Sequence, residues 1–150
     1  MKNKSRAIHF ASQYGQLRAV KVLAEAGAEL DAKATKEKLA PLHLAAARGH
    51  IEVVRFLLSA GAAIDCEDRM GRQALIHAIK NGHAEIAQLL LEHGADPNAA
   101  DSSDNTALHY AAGFGGHRIV TLLLFAGANL NATNNWKFTP IMIADMKGEL

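Results

Sequence analysis

The fold of this chain is decided by residues 40–62, which read "APLHLAAARGHIEVVRFLLSAGA". The beginning of this stretch returns at residues 106–117 as "TALHYAAGFGGH", and its glycines belong to two evenly spaced sets. The first set, with steps of 34, 33, 33 and 33 residues, is Gly15, Gly49, Gly82, Gly115 and Gly148. The second set, with steps of 34, 33 and 33 residues, is Gly27, Gly61, Gly94 and Gly127. A fixed period of this length indicates stacked structural units.

Each period combines an Ala-rich stretch, an apolar stretch and a polar connection. One Ala-rich stretch begins at Pro41, a residue suited to the first position of a helix because its missing N–H would be unpaired there anyway. In the apolar stretch that follows, Val54, Leu57 and Leu58 have the i, i+3, i+4 spacing of a helix that buries one face. Gly61 comes next, where a left-handed residue closes the last helical turn. The sequence therefore predicts an all-α chain of helix-turn-helix units.

The repeated residues resemble the ankyrin-repeat pattern "TPLHxAAxxGHxxVVxxLLxxGA". The pattern is matched by Pro41, Leu42, His43, Ala45, Ala46, Gly49, His50, Val53, Val54, Leu57, Leu58, Gly61 and Ala62. The resemblance implies a solenoid of stacked units with projecting, β-hairpin-like fingers. It covers one domain, residues 1–150, with approximate units at 1–33, 34–66, 67–99 and 100–132 and a partial unit at 133–150. Because Ile141 and Ile143 of the partial unit would lack cover, the chain is expected to be a fragment of a longer protein.

The composition narrows the classes of function. With 16 basic and 15 acidic residues the formal net charge is +1, which gives no overall field to hold nucleic acid or an anionic membrane. The single cysteine, Cys66, excludes an internal disulfide framework, and no stretch approaches the length of a membrane span. These features predict a cytoplasmic or nuclear protein, for which a monomer is favoured, that binds no nucleic acid and does not insert into a membrane.

The sequence predicts no catalysis, no cofactor and no metal site. His9, His43 and His109 occupy the same position in different units, and packed helices lie about 8–10 Å apart, whereas zinc needs its ligand nitrogens at about 2.0–2.1 Å. The resemblance implies that these histidines hydrogen-bond the backbone between adjacent fingers. Cys66 has no base placed beside it by a recognisable motif and is interpreted as a small buried residue. The stretch "GFGGH" from Gly113 aligns with an inter-helix turn and does not follow a strand, as a phosphate loop would.

Three departures from the pattern bear on the structure. The first finger, around residues 33–40, has one extra residue and lacks the turn glycine that Gly71 supplies in the second, so it is expected to be irregular and mobile. In the third and fourth fingers the glycine position is held by Asp104 and Lys137. The third unit has Ile76 in the histidine position, so the histidine role is not carried over to its neighbour His77.

In ankyrin proteins the fingers and the inner face of the first helices line a concave groove, and the resemblance implies that a partner binds there. Trp, Tyr and Arg are the residues that most often anchor interfaces. The candidate binding residues are Tyr14, Arg48, Arg69, Met70, Arg72, Lys80, Asn81, Phe114, Trp136 and Phe138. Trp136 and Phe138 would point the same way along an extended arm, or they would pack on the remainder of the fifth unit.

Charge is distributed unevenly along the fingers. The first junction is basic, with Lys33, Lys36, Lys38 and Arg48 against Glu37, and the third carries Asp101 and Asp104. This distribution fits a solvated surface, or a partner that is acidic at one end and apolar at the other.

The function predicted from these features is a non-enzymatic scaffold or adaptor that binds a protein or an extended peptide on its concave face. The alternative is a regulatory or targeting segment of a larger enzyme, channel or secreted effector. A third alternative is the capture of an anionic lipid or a phosphopeptide by the basic first junction.

Overall fold

A computed structural model of the protein describes residues 2–114 and 116–148, and within these ranges the chain forms nine α-helices. The first helices of successive units are α1 (Lys2–Gln13), α3 (Pro41–Arg48), α5 (Ala74–Lys80), α7 (Ala107–Phe114) and α9 (Pro140–Met146). The second helices are α2 (Leu17–Glu25), α4 (Ile51–Ser59), α6 (Ala84–Glu92) and α8 (His117–Phe125). The predicted all-α solenoid is confirmed.

The helices pack in two layers. Each first helix contacts the first helices of the neighbouring units, and α1, α3, α5 and α7 also contact the second helix of their own unit. Small side chains fill the space between the first helices, where Ala45, Ala78 and Ala111 are fully buried. The second layer contributes Leu57, Leu90 and Leu123, which occupy equivalent positions in three units and are likewise fully buried. The core is therefore continuous along the stack, and each unit depends on its neighbours to cover its apolar residues.

Histidines of the first helices connect each unit to a following finger. Nε2 of His9 donates to the carbonyl of Leu39 at 3.0 Å, and Nε2 of His109 donates to the carbonyl of Phe138 at 2.9 Å. His43 donates to the carbonyl of Cys66 at 2.7 Å, while its Nδ1 accepts the backbone N–H of Ala40 and so fixes the tautomer. The structural role predicted for these three histidines is confirmed.

A second set of histidines connects each unit to the preceding one. Nε2 of His50 donates to the carbonyl of Gln13 at 2.9 Å, and Nε2 of His83 donates to the carbonyl of Ala47 at 3.1 Å. The two imidazoles lie against the turn glycines Gly15 and Gly49 of the preceding units. These histidines stabilise the turns, and they explain why the turns need glycine for space as well as for its left-handed backbone.

We expect Gly49→Ala to destabilise the protein more than Gly61→Ala does. Both glycines have a left-handed backbone, with φ of 83° and 96°, which costs a residue with a Cβ about 1–2 kcal/mol. A Cβ at Gly61 would meet nothing within 4 Å, whereas at Gly49 it would lie 2.7 Å from Cε1 of His83. This overlap should add about 1–3 kcal/mol to the loss, measured as the free energy of unfolding in urea. Equal losses would show that the His83 ring moves aside freely.

The four fingers share one turn geometry. Gly71 has φ of 72° in the second finger, and the equivalent residues Lys38, Asp104 and Lys137 have φ of 55°, 59° and 66°. The sequence predicts an irregular first finger, and for its turn this prediction is wrong. The N–H of Lys38 donates to the carbonyl of Thr35 at 3.0 Å, as the equivalent N–H groups do in the other three turns. In the first finger the closing hydrogen bond runs from the N–H of Ala34 to the carbonyl of Leu39 at 3.3 Å, and Oγ1 of Thr35 accepts the N–H of Leu39 at 3.3 Å.

Candidate partner-binding surface

The finger tips form a continuous edge along one side of the stack. The backbone N–H of Arg69 donates to the carbonyl of Glu37 at 2.7 Å, and that of Ser102 donates to the carbonyl of Met70 at 2.8 Å. The third link joins the N–H of Asn135 to the carbonyl of Ser103 at 3.0 Å. Each tip is thus fixed to the next, which holds the side chains that project from them at set intervals.

A buried acceptor side chain closes each of the last three tips. Oδ1 of Asp68 accepts the N–H groups of Met70 at 2.8 Å and Arg72 at 2.9 Å. Asp101 and Asn134 accept the equivalent pairs of N–H groups in the third and fourth fingers. All three side chains belong to buried residues. Asp101 therefore serves the turn and does not present its charge to a partner, so Asp104 is the exposed member of the two acidic residues at the third junction.

The second oxygen of Asp68 binds two further groups. Oδ2 accepts Nε of Arg72 at 2.8 Å and Nε2 of His77 at 2.9 Å. Burial acts to raise the pKa of Asp68, but the hydrogen bonds from Arg72, His77 and Met70 outweigh it and hold that pKa below its usual value. The side chain of Arg72 is mostly buried by this ion pair. The structure thus gives Arg72 a role in holding the finger, which differs from the partner contact predicted for it.

His77 is buried beside a second imidazole. Its ring centroid lies 5.1 Å from that of His43. Burial, and then the charge that His43 would carry, lower the pKa of His77 to about 4, although its hydrogen bond to Asp68 opposes that shift. At neutral pH His77 is therefore an uncharged donor to Asp68, and Arg72 is the charged partner of that carboxylate. The sequence signal for the hydrogen bond between His77 and Asp68 is a histidine next to Ile76, nine residues after an aspartate.

A cavity of about 330 Å³ lies between the ends of α5, α7 and α9. It brings together two of the predicted binding residues, Lys80 and Phe114, with Lys147 and with Tyr110 and Ile143, which the sequence did not indicate as binding residues. The repeat spacing identifies Lys147 as the fifth-unit equivalent of Phe114.

The two aromatic residues of the cavity are held in different ways. Phe114 lies over Gly82, where a Cβ would come within 2.8 Å of the ring, and so takes the place that His50 and His83 occupy in the earlier units. About half of Phe114 remains exposed. The hydroxyl of Tyr110 donates to Oδ2 of Asp101. Burial and this carboxylate raise the pKa of Tyr110, so its hydroxyl stays protonated.

Tyr14 in the first unit is part of an exposed aromatic pair. Its ring centroid lies 4.6 Å from that of Phe10, one helical turn earlier. Phe10 is 64% exposed and Tyr14 is 53% exposed. Phe10 was not among the sequence candidates, although it is the first-unit equivalent of Tyr110.

The other predicted residues have different surroundings. Arg48, Lys80, Asn81, Arg69, Met70 and Trp136 are exposed. Trp136 and Phe138 do not share an extended arm, because Lys137 between them has φ of 66° and turns the chain. Phe138 is half-buried, and its carbonyl accepts the hydrogen bond from His109.

The only cysteine differs from its predicted environment. Cys66 is half-buried rather than fully buried. Burial raises the pKa of its thiol, which keeps the thiol protonated at neutral pH. Across residues 2–114 and 116–148, no group of three or more His, Cys, Asp or Glu residues is arranged to hold a metal ion. In the same part of the chain, every helix is too short or too polar to span a bilayer.

A comparison with protein-family models finds one family in two overlapping registers. The model described as "Ankyrin repeats (3 copies)" matches residues 8–101 and again residues 42–134. No curated protein matches the chain. The two matches together span most of the sequence and agree with the repeat period read from the glycines.

Proposed function

The chain belongs to the ankyrin-repeat family, and from that premise we propose that it is a non-enzymatic module that binds a protein or an extended peptide on one face of the stack. Ankyrin repeats are generally protein–protein interaction modules and are typically not catalytic. The proposed binding face comprises the finger tips and the helix-end row. The helix-end row is the set of residues at the ends of the first helices: Gln13, Tyr14, Ala47, Arg48, Lys80, Asn81, Gly113, Phe114, Met146 and Lys147.

The observation that carries this proposal is that the residues that hold the stack together differ from those that it exposes. The repeated residues hold the fold together: the histidines connect neighbouring units, and Asp68, Asp101 and Asn134 close the fingers. The helix-end row and finger tips instead expose large apolar and cationic side chains, such as Phe114 and Arg48, at regular intervals. Aromatic side chains and arginine are among the residue types most enriched in protein interfaces.

The non-enzymatic part of the proposal is supported by the state of Cys66 and of three buried histidines. The thiol of Cys66 is kept protonated, and His43, His77 and His109 are buried and hydrogen-bonded within the fold. A general base has to reach a reacting group in a substrate. These histidines instead hydrogen-bond to Cys66, Asp68 and Phe138 of the protein itself.

The binding face can be tested with charge-matched variants. Peptides selected from a random display library on the wild-type protein would be titrated against the double variant Arg48→Glu, Lys80→Glu. The control is Arg18→Glu, Arg55→Glu, which makes the same charge change on the exposed side of α2 and α4. We expect the first variant to weaken binding by about tenfold or more and the control to bind as the wild type does. Ligands that lose affinity equally for both variants, or for neither, would contradict the proposed face.

A further inference from the structure

Two aromatic clusters stand at equivalent positions of the first and fourth units. Phe10 and Tyr14 lie one turn apart on and just after α1, and Tyr110 and Phe114 lie one turn apart on α7, 100 residues later and therefore three units along. The first cluster is more than half exposed. The second lines the cavity of about 330 Å³, which Ile143 of the fifth unit also lines. Each cluster offers apolar surface that is costly to leave in water.

The units between the two clusters place cations in the helix-end row. Arg48 stands there in the second unit and Lys80 in the third, and Lys147 lies beyond the second cluster. The row itself contains no carboxylate, and no ion pair forms to these three cations among residues 2–114 and 116–148. The row therefore reads, in order along the stack, aromatic, cationic, cationic, aromatic and cationic. A partner that complements it carries acidic side chains between two apolar ones.

The spacing of the clusters sets the length of such a partner. Packed helices lie about 8–10 Å apart, so the three steps from α1 to α7 span about 24–30 Å. An extended chain advances about 3.3 Å per residue, so about eight residues separate two side chains that reach both clusters. A shorter segment would leave one cluster empty, and a longer one would have to loop away from Arg48 and Lys80.

We propose that the helix-end row recognises an extended acidic peptide segment with two apolar side chains about eight residues apart. One apolar side chain packs on Phe10 and Tyr14, and the other enters the cavity beside Tyr110 and Phe114. The acidic residues between them pair with Arg48 and Lys80. This inference rests on the function proposed above and specifies the chemistry of its ligand.

The test uses fluorescein-labelled peptides with two leucines separated by three, seven or twelve residues of Glu, Ser and Gly, titrated by fluorescence anisotropy. A seven-residue separation places the leucines eight positions apart. We expect that peptide to bind about tenfold more tightly than the other two, because only it fills both clusters at once. A version with Lys in place of Glu should bind at least about tenfold more weakly.

Variants assign the two ends of the peptide. The double variant Phe10→Ser, Tyr14→Ser and the single variant Phe114→Ser are each expected to lower affinity for the seven-residue peptide about tenfold and to abolish its advantage over the other lengths. Lys80→Glu repeats the test in the same cavity without removing the packing of Phe114 on Gly82. Phe125→Ser is the control, since Phe125 is 89% exposed on α8. Circular dichroism melts establish that each variant is folded.

Several results would overturn the inference. These are affinity that does not depend on the separation of the leucines, equal binding of the Lys peptide, or an aromatic variant that binds like Phe125→Ser. Concentration-dependent dimerisation that disappears in Phe10→Ser, Tyr14→Ser would assign the first cluster to a second copy of the chain and would also overturn it. The wider proposal fails separately: it fails when library-selected ligands ignore Arg48→Glu, Lys80→Glu, whatever the spacing of their apolar residues.

Discussion

Asp68→Ala is expected to remove about 3–5 kcal/mol of the free energy of unfolding, the usual cost of breaking a buried ion pair from one side. The substitution leaves the guanidinium of Arg72 and Nε2 of His77 without an acceptor, together with two backbone N–H groups of the finger. A domain of this kind has about 5–15 kcal/mol of total stability. The loss is therefore large enough to leave the variant close to unfolding, and urea denaturation followed by circular dichroism measures it.

Asp68→Asn is the matched control for this change, because the fourth finger already has Asn134 at the equivalent position. Oδ1 of Asn134 accepts the N–H groups of Trp136 and Phe138, both at 3.0 Å. An asparagine at position 68 keeps the two backbone hydrogen bonds but sets an amide N–H₂ against two donors, Arg72 and His77. We expect a loss between those of the wild type and Asp68→Ala. If Asp68→Asn and Asp68→Ala are equally unstable, the backbone bonds contribute little and the role given to Oδ1 is incorrect.

The second large effect is a loss of stability on acidification that depends on His77. The pKa of His77 is about 4 in the folded protein and about 6.5 in an unfolded chain. Between these values the unfolded state binds a proton that the folded state does not, so acidification favours unfolding. The contribution of uncharged His77 to the free energy of unfolding is fully present above pH 6.5 and is lost as the pH falls toward 4. Between pH 7 and pH 5 the loss from this residue should be about 2 kcal/mol.

His77→Gln isolates this contribution, since its side-chain amide can still donate to Asp68 but does not titrate. Urea denaturation at pH 7 and pH 5 should show a smaller difference in unfolding free energy for the variant than for the wild type. Part of the difference should remain, because burial also lowers the pKa of His43. An unchanged difference would mean that His77 titrates normally in the folded protein.

The repeat architecture could be predicted from the sequence because it depends on residues that recur. Gly49 and Gly82 are required for the same reason, a left-handed turn with a ring packed over it, and any position with one physical role in every unit appears as a period. The roles of His9 and His109 followed from their place in that period.

The Asp68 network could not be predicted in the same way, because it arises where the period fails. Ile76 removes the repeat histidine from the third unit, and His77 joins Arg72 on a carboxylate of its own finger instead. Which side chains converge there depends on how the finger folds back on α5, and a linear pattern does not contain that distance. Phe10 could not be predicted as a binding residue either. Its position holds an aromatic, a leucine or a histidine in the first four units, so no repeated residue marks it.

The hydrogen bonds between neighbouring units run in both directions. His9 and His109 donate toward the later finger, while His50, His83 and the N–H of Arg69 donate toward the earlier unit. Sliding one unit along the next would stretch all the hydrogen bonds between the two units together. Lifting a terminal unit would instead break these hydrogen bonds one after another. The stack is consequently stiff against shear and weaker against peeling, so a pulling force on the chain would detach units from the ends inward.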